Sequence, residues 1–305
     1  MALPLSYPGL KCVLENLEAV KRVHIVGRSP GLRKIDKLIP LCLKYFYIMS
    51  NDMAINKLYI TCDRDEVNFK MNRKIFIRQR VETQEDKMKK LINFFTCGRS
   101  IIHVGSLNWN KSSLPNFLPV GMKFRVNSLA APPWQFDTAN PFVDPRSFPL
   151  KTMVTIPHTS TFDSHMVTTA ATLTLLSCFS VTITLEELKK LNNKRVEFER
   201  IRFSKIDIIP LIKYQIETKE ATGTTFVVTT DEKLFINEKI REFEQAFGEY
   251  RSDLDDVNER FLPGSSRFSI PINNESRIQV YAIEDPEEDG RWKIFIKPVS
   301  DILGL

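Results

Sequence analysis

The sequence predicts a mixed chain of helices and strands, α+β or α/β, in which a small unit of three short helices precedes a strand-and-helix domain. Three observations lead there. Apolar residues in the first forty positions recur at helical spacing, from about residue 43 they alternate with polar ones, and beyond residue 84 helix-type and strand-type segments take turns. With 305 residues, 43% of them hydrophobic, the chain can bury a sizeable core. Its 11 glycines and 17 prolines exclude collagen-like and low-complexity classes.

The opening helix is carried by Leu10, Val13, Leu14 and Leu17, with Ser6 as a cap and Pro8 harmless in the first turn. Val20, Val23, Ile25 and Val26 make a second apolar set, for which Gly27 reads as a left-handed stop. Ser29-Pro30 opens a third helix with Leu32, Ile35, Leu38 and Ile39, closed by Pro40. A boundary is expected at residue 42, giving a helical unit over 1–42 and a larger domain over 43–305.

In the larger domain, Leu58 and Ile60, then Val67, Phe69 and Met71, then Ile75 and Ile77 alternate as half-buried strands do. Gln84 to Thr96 is a helix with Met88, Leu91, Ile92 and Phe95 on one face, stopped at Gly98. Strands are expected over 100–104 and 123–129, separated by a loop, and the proline-rich stretch 130–149 is a surface loop or an internal boundary. Further strands are expected at 152–156, 181–184, 196–201 and 224–228, and helices at 185–191, 206–218 and 231–247, the last with Leu234, Ile236, Ile240, Phe243 and Phe247 inward. Thr184 and Glu187 have the spacing of a capping box. A hairpin, 278–283 with 292–296, ends the pattern. Strand centres near 102, 125, 154, 182, 197 and 226 approach the period of leucine-rich repeats, so the domain is either an irregular array of that kind or an ordinary α+β domain.

Chemistry-bearing motifs are few. Pro157 to His165 gathers hydroxyls, Asp163 and the histidines His158 and His165, yet no G-x-S-x-G elbow supplies a nucleophile, and a capped turn explains the segment. Gly27 to Lys34 lacks the order of a phosphate loop, and no G-x-G-x-x-G occurs. His24, His103, His158 and His165 are not spaced as metal ligands, and the acidic runs near 253–256 and 284–289 lack a calcium-loop pattern. Cys12, Cys42, Cys62, Cys97 and Cys178 form no C-x-x-C pair and read as core thiols in a reducing compartment. No catalytic residue, cofactor or metal is therefore expected. No apolar run reaches the ~18 residues of a membrane span, and no secretory leader is recognisable, so the expected location is the cytoplasm, with a nuclear pool left open.

Net charge is +6, spread as +11 over residues 1–150 and −5 over 151–305. The basic stretch 70–90 offers Lys70, Arg73, Lys74, Arg78 and Arg80 as a face for nucleic acid. The bland reading is a solvated face, because Lys70, Lys74, Arg78 and Arg80 share a parity opposite to Ile75 and Ile77.

The opening Leu3-Pro4-Leu5-Ser6-Tyr7-Pro8-Gly9-Leu10-Lys11-Cys12-Val13-Leu14-Glu15-Asn16-Leu17, with Val20, Arg22, Val26 and Arg28, resembles an F-box. Segments such as GLRKIDKLIPL, CGRSIIHVGSLNW, IDIIPLIKYQIETKEATGTTFVV and INEKIREFEQAFGEY are similar to a nematode-expanded group, the F-box proteins of the C type with their associated domain of unknown function. The resemblance implies a non-catalytic subunit that recruits a protein substrate to an SCF-type ubiquitin ligase. It marks Leu3, Pro4, Leu5, Pro8, Val13, Leu14, Leu17, Val20 and Val26 for contact with the cullin-linked adaptor. Two alternatives stand beside it: an interaction scaffold with a degenerate F-box and no ubiquitin role, and a basic nucleic-acid-binding protein. The scaffold gains if the apolar faces of residues 3–39 are buried within the chain.

Overall fold

In the computed structural model, which describes residues 7–177, 180–199, 205–220, 222–254, 260–286, 288 and 290–300, the chain is mixed α/β. It divides between Phe148 and Pro149 into two compact units. The first opens with helices α1 (Tyr7–Asn16), α2 (Ala19–Arg28) and α3 (Leu32–Lys37). Strands β1 (Cys42–Ile48), β2 (Asp52–Ile55), β3 (Leu58–Cys62), β4 (Glu66–Met71) and β5 (Lys74–Gln79) follow. Helix α4 (Gln84–Thr96), strands β6 (Ile101–Trp109) and β7 (Lys123–Ala130), and the short helix α5 (Phe136–Ala139) complete the unit.

Its strands lie in the order β7-β6-β1-β2-β3-β4-β5. β1, β6 and β7 run parallel, whereas β1 to β5 form an antiparallel meander. Asn72 and Arg73, at the β4–β5 turn, have φ of 48° and 70°, as the two central residues of a type I′ hairpin must. Gly105 in β6 is needed for a different reason: a Cβ there would lie 2.7 Å from the Lys44 carbonyl oxygen of the neighbouring strand.

The three helices are built into this unit. Leu14, Val26 and Ile39 are buried together, with Leu10, Leu32 and Ile35 packed around them. Glu18 caps α2 by accepting from the Lys21 amide at 3.1 Å, and its other oxygen accepts from Asn56 Nδ2 at 2.6 Å. Asn56 Oδ1 in turn accepts from the Lys44 and Tyr45 amides at 2.8 and 3.2 Å, which ties the start of α2 to β1.

A buried ionic knot does the same at the other end. Asp36 is 1% exposed and accepts from Arg22 Nε through Oδ1 and from Arg99 Nη2 through Oδ2, both at 2.6 Å. Arg22 also donates to the carbonyls of Ile39 and Pro40 at 2.9 Å, and Arg99 Nη1 donates to that of Thr96 at 3.3 Å. The knot thus binds the Asp36 carbonyl near the end of α3 and the carbonyls just past it, and it joins α2, α3 and the turn after α4. The division into two compact units falls at the end of the proline-rich stretch.

The second unit contains β8 (Thr152–Thr155), α6 (His165–Thr168), β9 (Thr172–Leu176), β10 (Thr182–Ile183), α7 (Leu185–Lys189) and β11 (Arg195–Glu199). It continues with β12 (Lys205–Ile206), α8 (Ile208–Thr218), β13 (Thr225–Thr230), α9 (Lys233–Phe247), β14 (Phe268–Asn273), β15 (Ser276–Glu284) and β16 (Trp292–Ser300). Strands β8, β9, β11 and β13 lie side by side, parallel and in chain order, and β16, β15 and β14 extend the sheet antiparallel. β10 and β12 pair separately. Asn193, in the turn before β11, donates to the Val167 and Ala170 carbonyls at 2.8 and 2.6 Å.

The capping box at Thr184 and Glu187 forms as its spacing predicts. Several other expectations are corrected. The strand that joins the array there is β9, favoured by its β-branched Thr172 and Thr174, whereas the strand expected at 181–184 forms as the short β10 and pairs with β12 apart from the array. Leu234 is 83% exposed, since it precedes Ile236 by two residues, about 200° around the helix from the buried stripe Ile236, Ile240, Phe243 and Phe247. Gly27 lies inside α2, which ends at Arg28. Ser6 lies outside the described residues.

Replacing Asp36 by Asn should cost about 3–5 kcal/mol, because two guanidiniums would stay buried without their shared carboxylate. Urea unfolding followed at Trp109 and Trp134, both in the first unit, would read this as a lower midpoint. An unchanged midpoint would show that the knot contributes nothing to holding the helices.

Candidate functional site

Solvent-facing hydrophobic side chains of the first unit include Leu114, Val120 and Trp134 in its loops, others on the N-terminal helices and a run along one strand. On the helices, Val13, Ile25 and Leu38 are exposed, Leu38 by 72%. On the last strand of the meander, β5, every residue is exposed, with Ile75, Phe76 and Ile77 between 57 and 62%, and Val81 just beyond it reaches 90%.

Among the residues that the resemblance marks for adaptor contact, Leu3, Pro4 and Leu5 lie outside the described residues. Pro8 and Val13 are exposed and Leu17 is half-buried. Leu14, Val20 and Val26 are buried, at 1, 5 and 2% exposure. In the structure they pack in the core of the first unit.

The basic stretch is also rearranged. Met71 pairs with Lys74, Lys70 with Ile75 and Val67 with Arg78 across the β4–β5 hairpin. Because pairing swaps sequence parity across the two-residue turn, Lys70 shares its face with Ile75 and Ile77, while Lys74, Phe76 and Arg78 share theirs with buried Val67. Ile75 and Ile77 are therefore not half-buried but point to the face away from Val67, Ile60 and Cys62. Further along, Lys87 is 2% exposed and donates to the Asp63 and Arg64 carbonyls at 2.7 and 2.6 Å, and Lys90 pairs with Glu82 at 2.8 Å. The cations of residues 70–90 do not make one continuous face.

No acidic residue occurs between Val67 and Val81. The Arg78 guanidinium lies 6.0 Å from the Phe69 ring centroid. His24 on α2 stacks near Phe94 and Phe95, at 5.5 and 6.2 Å, and its imidazole is held below the usual histidine value by burial, helped by Arg28 and Arg78.

The cluster at 157–165 does not converge as a catalytic triad. His158 Nδ1 is 2.8 Å from Ser160 Oγ and accepts from the Ser160 amide, capping a short 3₁₀ turn on the surface. Asp163 is turned to Lys190, 2.6 Å away. Among the described residues no three His, Cys, Asp or Glu side chains are gathered for a metal, and no described helix is long and apolar enough to cross a membrane. A shallow groove of about 470 Å³ in the first unit is lined by loop residues including Leu114, Pro119, Val120 and Phe142. It brings together no titratable pair.

The cysteines differ from expectation. Cys62 is buried, but Cys12 and Cys42 are exposed and Cys97 is intermediate, while Cys178 lies outside the described residues. Burial pushes the Cys62 thiol up to about 11, so at neutral pH it is protonated.

Residues 83–232 match the family model described as a domain of unknown function, DUF3557. No curated protein and no solved structure matches the chain. The matched segment begins in the turn before α4 and leaves out both α1 to α3 and β5. The exposed apolar residues of the N-terminal helices and of β5 lie outside it, whereas Leu114, Val120 and Trp134 lie inside.

A thiol-selective reagent at neutral pH should label Cys12 and Cys42 in the native protein within minutes and leave Cys62 untouched until denaturant is added, as peptide mass spectrometry would resolve. Native labelling of Cys62 at the same rate would contradict its placement beneath α4.

Proposed function

We propose that the chain is a non-catalytic protein-interaction subunit. Its supporting observation is the gathering of exposed hydrophobic side chains on the N-terminal helices and on β5, with Val13, Leu38, Ile75 and Ile77 facing water instead of core. Contiguous exposed apolar surface usually marks a partner site. In this reading the helices dock on the cullin-linked adaptor of an SCF-type ubiquitin ligase through Pro8, Val13 and Leu38, and the remainder of the chain captures the protein to be modified. Ligase chemistry would then be accelerated by proximity rather than by groups on this chain. The parallel strands β8, β9, β11 and β13, successive in the chain, support an irregular repeat-like array as the capturing surface.

A scaffold without a ubiquitin role is the second reading. The burial of Leu14, Val20 and Val26 favours it, because those side chains are spent on the chain's own core. Nucleic-acid binding has less support, since buried Lys87 and paired Lys90 interrupt the basic stretch.

Co-purification with the cullin adaptor separates the first two. The intact chain should retain the adaptor, and a Val13→Asp, Leu38→Asp double variant should lose it while keeping its unfolding midpoint, because both positions are exposed. A well-folded intact chain that fails to retain the adaptor would overturn the ligase reading and leave the scaffold.

A further inference from the structure

The last strand of the meander has one edge paired and one edge open. The Arg80 amide donates to the Asp65 carbonyl at 2.7 Å, which fixes residue 80 as a hydrogen-bonded position of the antiparallel ladder. Such positions alternate, so with the observed register Lys74, Phe76 and Arg78 bond to β4. Ile75, Ile77 and Gln79 consequently direct their N–H and C=O groups away from it. β5 is terminal in the strand order of its unit, and all six of its residues are exposed.

Exposed edges are ordinarily shielded by short length, charged side chains, proline, bulges or covering loops, and of these β5 carries only the charges of Lys74 and Arg78, which repel a like strand but not an acidic one. β5 has six residues, no proline, and no bulge in its pairing with β4. Its charges are all positive, and none of Lys70, Arg73, Lys74, Arg78 or Arg80 is in an ion pair among the described residues.

We infer that the open edge of β5 accepts an extended acidic segment of a partner protein as an additional strand. This rests on the interaction-protein reading and gives the captured segment a chemistry. The side chains along the edge run Lys74, Ile75, Phe76, Ile77, Arg78. Across an added strand, directly opposed side chains interact pairwise, so the complement is acidic, apolar, apolar, apolar, acidic. The flanking acids meet Lys74 and Arg78 on one face, with an apolar residue over Phe76 between them, while the other two apolar residues cover Ile75 and Ile77.

A second copy of this chain does not fit. Antiparallel pairing of two β5 strands about Phe76 sets Lys74 of each against Arg78 of the other, and parallel pairing sets like charges beside like; both are repulsive. A nucleic acid would use the cations but gains nothing from outward backbone groups or from the aliphatic Ile75 and Ile77, whereas an extended peptide uses all three features.

The test is fluorescence anisotropy with the full chain and a labelled peptide containing Glu-Val-Phe-Val-Glu, beside the same peptide with Lys for Glu. The acidic peptide should bind saturably and at least about tenfold more tightly than the basic one. Ile77→Pro removes an outward N–H and none of the bonds to β4, a position where proline is tolerated at an edge; it should abolish binding with the fold retained. Lys74→Glu with Arg78→Glu should invert the preference. Equal binding of both peptides, or full binding by the Ile77→Pro variant, would overturn the inference. So would displacement of the peptide by a single-stranded RNA that binds more tightly, or a concentration-dependent dimer that excludes the peptide. Failure here with adaptor retention intact would sink only this inference, and the reverse pattern would sink only the ligase reading.

Discussion

One carboxylate, Asp36, holds two guanidiniums that come from parts of the chain 77 residues apart, Arg22 and Arg99. Burying three charges together is costly, and the cost is offset only where the geometry leaves few hydrogen-bonding groups idle. Here the other guanidinium N–H groups go to the carbonyls of Ile39, Pro40 and Thr96, and Arg99 Nε alone is buried without a partner among the knot's donors. The knot thereby decides what kind of object the N-terminus is. The three helices cannot swing as a tethered module, because their second and third members are pinned to the turn that follows α4. Asn56 and Glu18 pin the opposite end of α2 to β1.

Fixing the helices in this way has a consequence for binding. Leu14 and Val26 are buried with Ile39 in the core that the three helices make among themselves, Val20 is buried as well, and Val13 and Leu38 are left at the surface. Any partner of the helices meets those residues. The sheet has a corresponding limit. The core between sheet and α4 reaches Val67 on β4, but one strand further out Phe76 is 58% exposed and Arg78 is exposed too. β5 is thus held in register by β4 and its I′ turn while remaining open on its far side. The same strand combines order, exposure and positive charge, which few surface segments do.

Much of this was legible in the sequence because the signals are local. Helix lengths followed from the apolar spacing of Leu10 to Leu17 and of Met88 to Phe95, and the Thr184–Glu187 box stated its own geometry. The proline-rich stretch near 130–149, legible as a loop or a boundary, ends where the two compact units meet in sequence. What could not be read depends on pairing at a distance. Sequence parity put Lys70 with Lys74 and Arg78, but a two-residue turn exchanges parity between its strands, so only the register shows that Lys70 sides with Ile75. Likewise nothing local in Arg22, Asp36 or Arg99 announces that they meet, since a buried charge looks like any surface charge until its partners are known. The exposure of Ile77 has a similar cause, as alternation gives a strand two faces without saying whether either is covered.

The claim on which the account turns is that β5 is an ordered strand with a free edge. Amide hydrogen exchange resolved to single residues across 74–79 measures this directly. Phe76 and Arg78 should be protected by their bonds to β4, while Ile75, Ile77 and Gln79 exchange rapidly, in strict alternation. Strong protection of Ile75 and Ile77 in the isolated chain would mean that the edge is already occupied, and uniform rapid exchange through all six residues would mean that β5 is not an ordered strand; either result contradicts the account.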